Sequence, residues 1–167
     1  MSDLPQFIEL HAAEGKDTVE KWRVYLEALD GIYQRTLVKG GLTFRGKRVG
    51  CRRMPESRNK HFGFWHLIQE GFPEEERTPD LERCRRLLWV AWVIQNVGKT
   101  DEIRTFLQTP RHGEKKPWAL WLFNYDYAVI LAERPDYCLL KTAFMVGANK
   151  QEEFERAWQT KQKGENG

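Results

Sequence analysis

The sequence predicts an α+β fold: N-terminal helices and a basic hairpin, then a C-terminal antiparallel β-meander in a sheet of about four strands, with helices packed on it and a terminal helix. Three observations predict it. Apolar residues recur at helical spacing through 18–38. Extended apolar runs follow one another through 118–145, joined by connections so short that neighbouring strands must be antiparallel. Residues 150–163 are a charged stretch with helical character.

At 167 residues, with 41% hydrophobic and 31% charged residues, the chain suits one domain spanning 1–167 that buries a core without disulfides. Its longest apolar runs fall far short of the roughly 20 residues that cross a bilayer. The first ten residues lack a basic start and an apolar stretch. No membrane association is expected, and a cytoplasmic location is the default. Cys51, Cys84 and Cys138 are widely spaced and match no zinc or redox motif, so buried free thiols are expected. A net charge of +3 is too small to announce nucleic-acid binding, which leaves that argument to local clusters.

Element by element, Val19, Trp22, Tyr25, Leu26 and Leu29 give a packing helix capped at Asp17 or Thr18. A break at Asp30-Gly31 and a second helical stretch ending at Gly40-Gly41 complete the layer of 18–38. Residues 42–53 form a hairpin around Gly46 with one basic face. Helices occupy 61–97: an aromatic-rich one from His61 to Glu70, then one capped by Thr78 with Pro79 at its first position, bending or ending near Trp89. In the meander the middle run, Asp126 to Glu133, is apolar on both faces and is expected to be the most buried strand.

Few residues invite chemistry. His61 and His66 sit roughly 140° apart around a helix axis, so a shared metal is not expected. Gly98-Lys99-Thr100 has Val93 where a nucleotide-binding loop needs glycine, and no cofactor is expected. His66, with Glu70 four residues on, is a candidate general base; the alternative is a half-buried imidazole satisfied by a carbonyl. Arg48, Arg52 and Arg53, followed by Arg58 and Lys60, suit a phosphate track or a solvated hairpin face. Arg104, Arg111, His112, Lys115 and Lys116 form a second basic group around the loop entering the sheet. On the last strand a period of two places Cys138, Leu140, Thr142 and Phe144 on one face and Lys141 on the other, which separates Lys141 from Thr142.

The stretches Phe64-Trp65-His66-Leu67, Glu70-Gly71 and Glu76-Arg77-Thr78-Pro79-Asp80-Leu81-Glu82-Arg83-Cys84 resemble an uncharacterised phage- and mobile-element-associated family assigned to nucleases. Trp121, Asp126-Tyr127, Arg134, Tyr137 and Lys141-Thr142-Ala143-Phe144 extend the resemblance over about residues 20 to 158. That family is grouped with the barnase, EndoU, colicin and RelE-like (BECR) nuclease superfamily. Its relatives carry proline after the tryptophan matching Trp89, where this chain runs Val90-Ala91-Trp92.

The resemblance implies metal-independent RNA cleavage through attack of the ribose 2′-hydroxyl on the adjacent phosphate, leaving a cyclic phosphate. It implies His66 as base with His61 as its substitute, Arg111 or Lys141 as phosphate stabiliser, and Thr142 as hydrogen-bond donor. Arg77 and Arg83, inside the same motif, join Arg48, Arg52, Arg53 and Lys115 as expected substrate contacts. RNA is the expected partner, with an antitoxin or immunity protein as a further one. The alternative from another class is a phage accessory module that binds RNA or protein without turnover.

Overall fold

Alternation along two neighbouring strands divides the core in two. In the computed structural model, which describes residues 3–10, 18–70, 78–108 and 117–166, the strands Pro117–Leu122 and Tyr127–Glu133 pair antiparallel at the centre of a sheet. Trp118, Leu120, Leu122, Tyr127, Val129 and Leu131 enter one hydrophobic cluster, whereas Ala119, Trp121, Ala128 and Ile130 enter another. Because successive side chains of a strand point to opposite faces, the sheet is covered on both sides.

In chain order the elements are α1 (Thr18–Tyr33), a π-helical turn (Gln34–Val38), β1 (Thr43–Phe44), β2 (Lys47–Cys51), α2 (Phe62–Ile68), β3 (Gln69–Glu70) and β4 (Thr78–Pro79). Then follow α3 (Leu81–Arg85), α4 (Leu87–Asn96), β5 (Ile103–Leu107), β6 (Pro117–Leu122), β7 (Tyr127–Glu133), β8 (Tyr137–Met145) and α5 (Ala148–Asn166). The fold is α+β. The expected sheet of about four antiparallel strands is instead six-stranded and mixed, ordered β1-β2-β8-β7-β6-β5, with β2 and β8 parallel. A separate two-stranded ladder joins β3 and β4.

The hairpin and the meander are therefore one sheet. Arg45 and Gly46 turn β1 into β2 with φ of 52° and 80°, the left-handed pair that a tight antiparallel turn needs. Val49 then pairs with Cys138, and both are buried in the larger cluster. The strand β5 is not expected from the sequence, where Arg104 falls in the basic group around the loop entering the sheet. Ile103 and Phe106 are its two buried residues, and Arg104 hides the strand's character. Its guanidinium lies over the rings of Trp121, Phe123 and Trp158 and pairs with Glu155 of α5 at 2.7 Å.

Helices α1, α2 and α4 supply Leu29, Tyr33, Phe64, Ile68, Val90 and Val93 to the larger cluster, and α5 covers the other face with Phe154. Full burial of side chains of this size stabilises by about 1.5–3 kcal/mol each. The expected break at Asp30-Gly31 does not occur: Leu29, Tyr33 and Leu37 stay buried on one continuous path, and α1 passes through Gly31 into the π turn. Gly40 and Gly41 end that turn as expected, Gly41 at φ +66°.

Three helix boundaries also differ from expectation; the first is that α2 ends at Ile68, because Gln69 and Glu70 pair as β3 instead of continuing the helix. Thr78-Pro79 does not start a helix but pairs with Gln69–Glu70, and Asp80 caps α3 by accepting from the Glu82 and Arg83 amides. The second interruption falls at Arg86 rather than near Trp89, and Trp89, Val90, Ala91 and Trp92 lie inside α4, whose inner face is buried. Trp89 is held there by an indole hydrogen bond of 2.8 Å to the Pro5 carbonyl. Cys84 and Cys138 are buried free thiols and Cys51 is half-buried. Among the described residues, no helix is long and apolar enough to cross a membrane.

Candidate functional site

The last turn of α2 ends beside β8, and three residues from three elements meet there. The His66 carbonyl accepts from the Thr142 hydroxyl of β8 at 3.4 Å and from the Arg83 guanidinium of α3 at 3.4 Å. The same Arg83 nitrogen donates to the Gln69 carbonyl at 2.6 Å and reaches the Thr142 hydroxyl at 3.5 Å. A cation on the last carbonyls of a helix is favourably placed against the negative end of its dipole. Asp80 holds Arg83 from the other side at 3.5 Å, so one acidic residue caps α3 and orients its arginine.

A bulge in β8 gives this corner its shape. Ile130 pairs with Thr142 but the next residue, Leu131, pairs with Leu140, which leaves Lys141 without a partner across the ladder. The alternation read from the sequence fails at that step. Cys138 and Leu140 share the larger cluster with Ala143, while Phe144 packs on the smaller one. Lys141 is exposed at the bulge and Thr142 beside it is only partly so.

The imidazole of His66 lies on the outer side of α2. Its ring is tilted by 36° on that of Phe62, four residues earlier, with centroids 4.3 Å apart. On Phe62 also lies the Arg52 guanidinium, 4.2 Å from the ring centroid, and its Nε donates to the Met54 carbonyl at 2.9 Å. The backbone fixes this stack: the Phe62 and Gly63 amides donate to the Arg53 and Arg52 carbonyls at 3.0 and 2.8 Å. Glycine suits that approach, since a Cβ on Gly63 would sit tightly, 3.0 Å from the Arg52 carbonyl oxygen and 3.1 Å from the Tyr33 hydroxyl.

His61, five residues earlier, has a different environment. Its Nδ1 is 3.2 Å from the hydroxyl of the buried Tyr33, whose ring meets the imidazole edge to face. Burial raises the pKa of the Tyr33 hydroxyl, and burial also raises that of the neighbouring Cys51 thiol. Cys84 is pushed up to about 12, again by burial, which makes it a poor nucleophile.

The remaining basic residues divide. Arg48 is exposed on β2, and Arg53 pairs with Glu56 at 2.8 Å on the surface. Arg58 lies 5.6 Å above the Trp65 ring. Lys60 is not part of a solvated track: it is 7% exposed and paired with Glu27 of α1. Arg104, grouped in the sequence with the loop before the sheet, belongs to β5 and to the contact with α5. Arg77, Arg111, His112, Lys115 and Lys116 lie outside the described residues.

The structure thus brings Arg83 and Thr142 to the backbone carbonyl of His66 and sets Arg52 against the same Phe62 ring as the His66 imidazole, while His61 is turned to Tyr33. Sequence reasoning missed Phe62. Its i, i+4 spacing to His66 was the signal, and the contact of Arg52 from the end of the hairpin to α2 had none. Among the described residues, no group of three or more His, Cys, Asp or Glu side chains could hold a metal ion. No family model matches the chain, and comparison with curated proteins and with solved structures also gives no match.

Proposed function

We propose that the chain is a ribonuclease that cuts RNA without a metal, through attack of a ribose 2′-hydroxyl on the neighbouring phosphate. The observation that carries this reading is the meeting of the Arg83 and Thr142 side chains at the backbone carbonyl of His66, from α3, β8 and α2. In this reaction His66 takes the 2′-hydroxyl proton as the 2′-oxygen bonds to phosphorus. The bond from phosphorus to the 5′-oxygen breaks, that oxygen takes a proton from water, and a 2′,3′-cyclic phosphate remains. Arg83, Lys141 and the Thr142 hydroxyl supply positive charge and a donor for the pentacoordinate phosphate.

The test is an end-labelled single-stranded RNA incubated with the protein in EDTA. Cleavage leaving a cyclic phosphate is expected, and none at a position carrying 2′-deoxyribose. Loss of cleavage on chelation, with recovery on adding magnesium or zinc, would sink the mechanism.

A second reading is RNA binding without turnover. It draws on the hydrogen bonds that Arg83 and Thr142 already make to backbone carbonyls, which give both residues a structural role. Affinity that falls steeply with salt, as phosphate contacts release counterions, fits both readings; product formation separates them.

A further inference from the structure

Resting on the ribonuclease reading, we propose that Arg52 is a stacking platform for a nucleobase, placing one base of a single-stranded substrate beside the phosphate held at Arg83 and Thr142. Two planar groups contact the Phe62 ring: the Arg52 guanidinium, 4.2 Å from its centroid, and the His66 imidazole, tilted by 36° with centroids 4.3 Å apart. Of these neighbours Arg52 is the exposed one, so it is the planar group this cluster offers a ligand. Arg52 is exposed, and its guanidinium is held by two contacts, with the Phe62 ring and through the bond from Nε to the Met54 carbonyl.

Pinning matters because an exposed arginine ordinarily loses rotamer freedom when it binds, and here that loss is largely taken in the folded protein. The scaffold beneath is stiff. The Arg52 and Arg53 carbonyls accept the first amides of α2, which ties the end of the hairpin to the start of the helix. On the same ring's other neighbour, His66, the backbone carbonyl accepts from Arg83 and Thr142. A base on Arg52 and a phosphate at Arg83 are therefore recognised from one rigid unit.

A guanidinium plane stacks on any base but gains most from the larger ring systems, so the platform favours purines and contributes nothing to a chain without bases. The experiment uses oligomers of about twelve nucleotides, within the range of single-strand binding sites, carrying 2′-O-methyl groups so that they cannot be cut. Oligoadenylate, oligouridylate and an abasic chain of the same length are titrated by fluorescence anisotropy against the full chain and its Arg52→Lys and Arg52→Ala variants. Wild type is expected to bind the adenylate more tightly than the uridylate, and the abasic chain least. Arg52→Lys keeps the charge and loses the plane; it is expected to weaken adenylate binding by about fivefold or more, from a stacking contribution of that order, with abasic binding and melting temperature unchanged. Equal loss on all three oligomers, or no loss on any, would overturn the platform. Base preference that depends on Arg52, in a protein that leaves ordinary RNA intact, would uphold the platform and overturn cleavage. Failure to bind any of the three would overturn both.

Discussion

The Thr142 hydroxyl donates to the His66 carbonyl across 3.4 Å, and this one bond ties the seam of a bulged strand to the last turn of a helix. Arg83 closes the same contact from a third element, at 3.4 Å from the carbonyl and 3.5 Å from the hydroxyl. The carbonyl belongs to the backbone, so replacing the His66 side chain leaves the junction in place.

His66→Ala should therefore separate chemistry from structure. Loss of a general base is expected to lower RNA cleavage by roughly 10²- to 10⁴-fold, with affinity and melting temperature little changed. Single-turnover cleavage, measured beside a thermal melt, checks it. Unchanged cleavage moves the base to His61 or His112, and a large fall in melting temperature makes His66 a packing residue.

Arg83→Lys should affect both properties. A lysine brings one ammonium where the guanidinium spans the His66 and Gln69 carbonyls and the Thr142 hydroxyl. A loss of about 1–3 kcal/mol is expected from the carbonyls left behind, together with loss of cleavage. Thr142→Val keeps the shape and removes the hydroxyl, so its melting temperature should fall less than that of Arg83→Lys while cleavage still drops. Chemical denaturation of both variants decides the order; the reverse order would show that Thr142 is the more structural of the two.

Gly40→Ala is expected to be among the most destabilising single-methyl additions in the chain. A Cβ there would lie 2.0 Å from the Thr36 carbonyl oxygen, which belongs to backbone and cannot swing away. At Gly41 a Cβ meets nothing within 4 Å, and only its φ of +66° opposes substitution, at a cost of about 1–2 kcal/mol. Equilibrium unfolding of the two alanine variants should rank Gly40 clearly worse. Equal losses would mean that the end of the π turn relaxes.

Asp30 supplies a pH dependence. Burial raises the pKa of its carboxyl, against smaller opposing pulls from Lys60, a Gln34 hydrogen bond and His61, with Glu27 acting in the same direction as burial. One of its oxygens, Oδ1, is buried without a hydrogen-bond partner among the described residues. A carboxyl with a raised folded pKa holds its proton more tightly in the folded chain. Its contribution favours folding at acid pH and is lost as pH rises through the folded value. Asp30→Asn should remove that slope and raise the melting temperature at neutral pH relative to wild type. Thermal melts from acid to neutral pH test it; a difference that is the same at every pH would show that the carboxyl's ionisation is not responsible.

How much of this was legible in the sequence depends on how local each cause is. The buried run from Tyr127 to Ala132 announced β7, and the charged run after Ala148 announced α5, because each signal lies inside its own element. The hairpin was legible for the same reason, through the turn at Gly46. That β2 lies parallel to β8 was not, since the pairing of Val49 with Cys138 joins residues far apart in the chain. Helix α3 shows a local ambiguity: Thr78 and Asp80 are both good caps, and the pairing of Thr78–Pro79 with Gln69–Glu70 gave the role to Asp80. In β5, Arg104 read as a loop cation because nothing in its neighbours along the chain reveals the rings of Trp121, Phe123 and Trp158 that cover it. At the site, His66 and Thr142 were legible as residues. Their junction was not, because the slip at Lys141 that brings Thr142 to α2 is a property of the pairing with β7.

The strand β8 is bounded by β2 on one side and β7 on the other, and it supplies Thr142. During synthesis the chain emerges from its N-terminus, so the residues of α2 and α3 and Arg52 are made before those of β8. Until Tyr137–Met145 has left the ribosome, the hairpin has no neighbour across β2 and the His66 carbonyl has no hydroxyl to meet. A growing chain thus lacks, until β8 is in place, the corner on which cutting is proposed to depend.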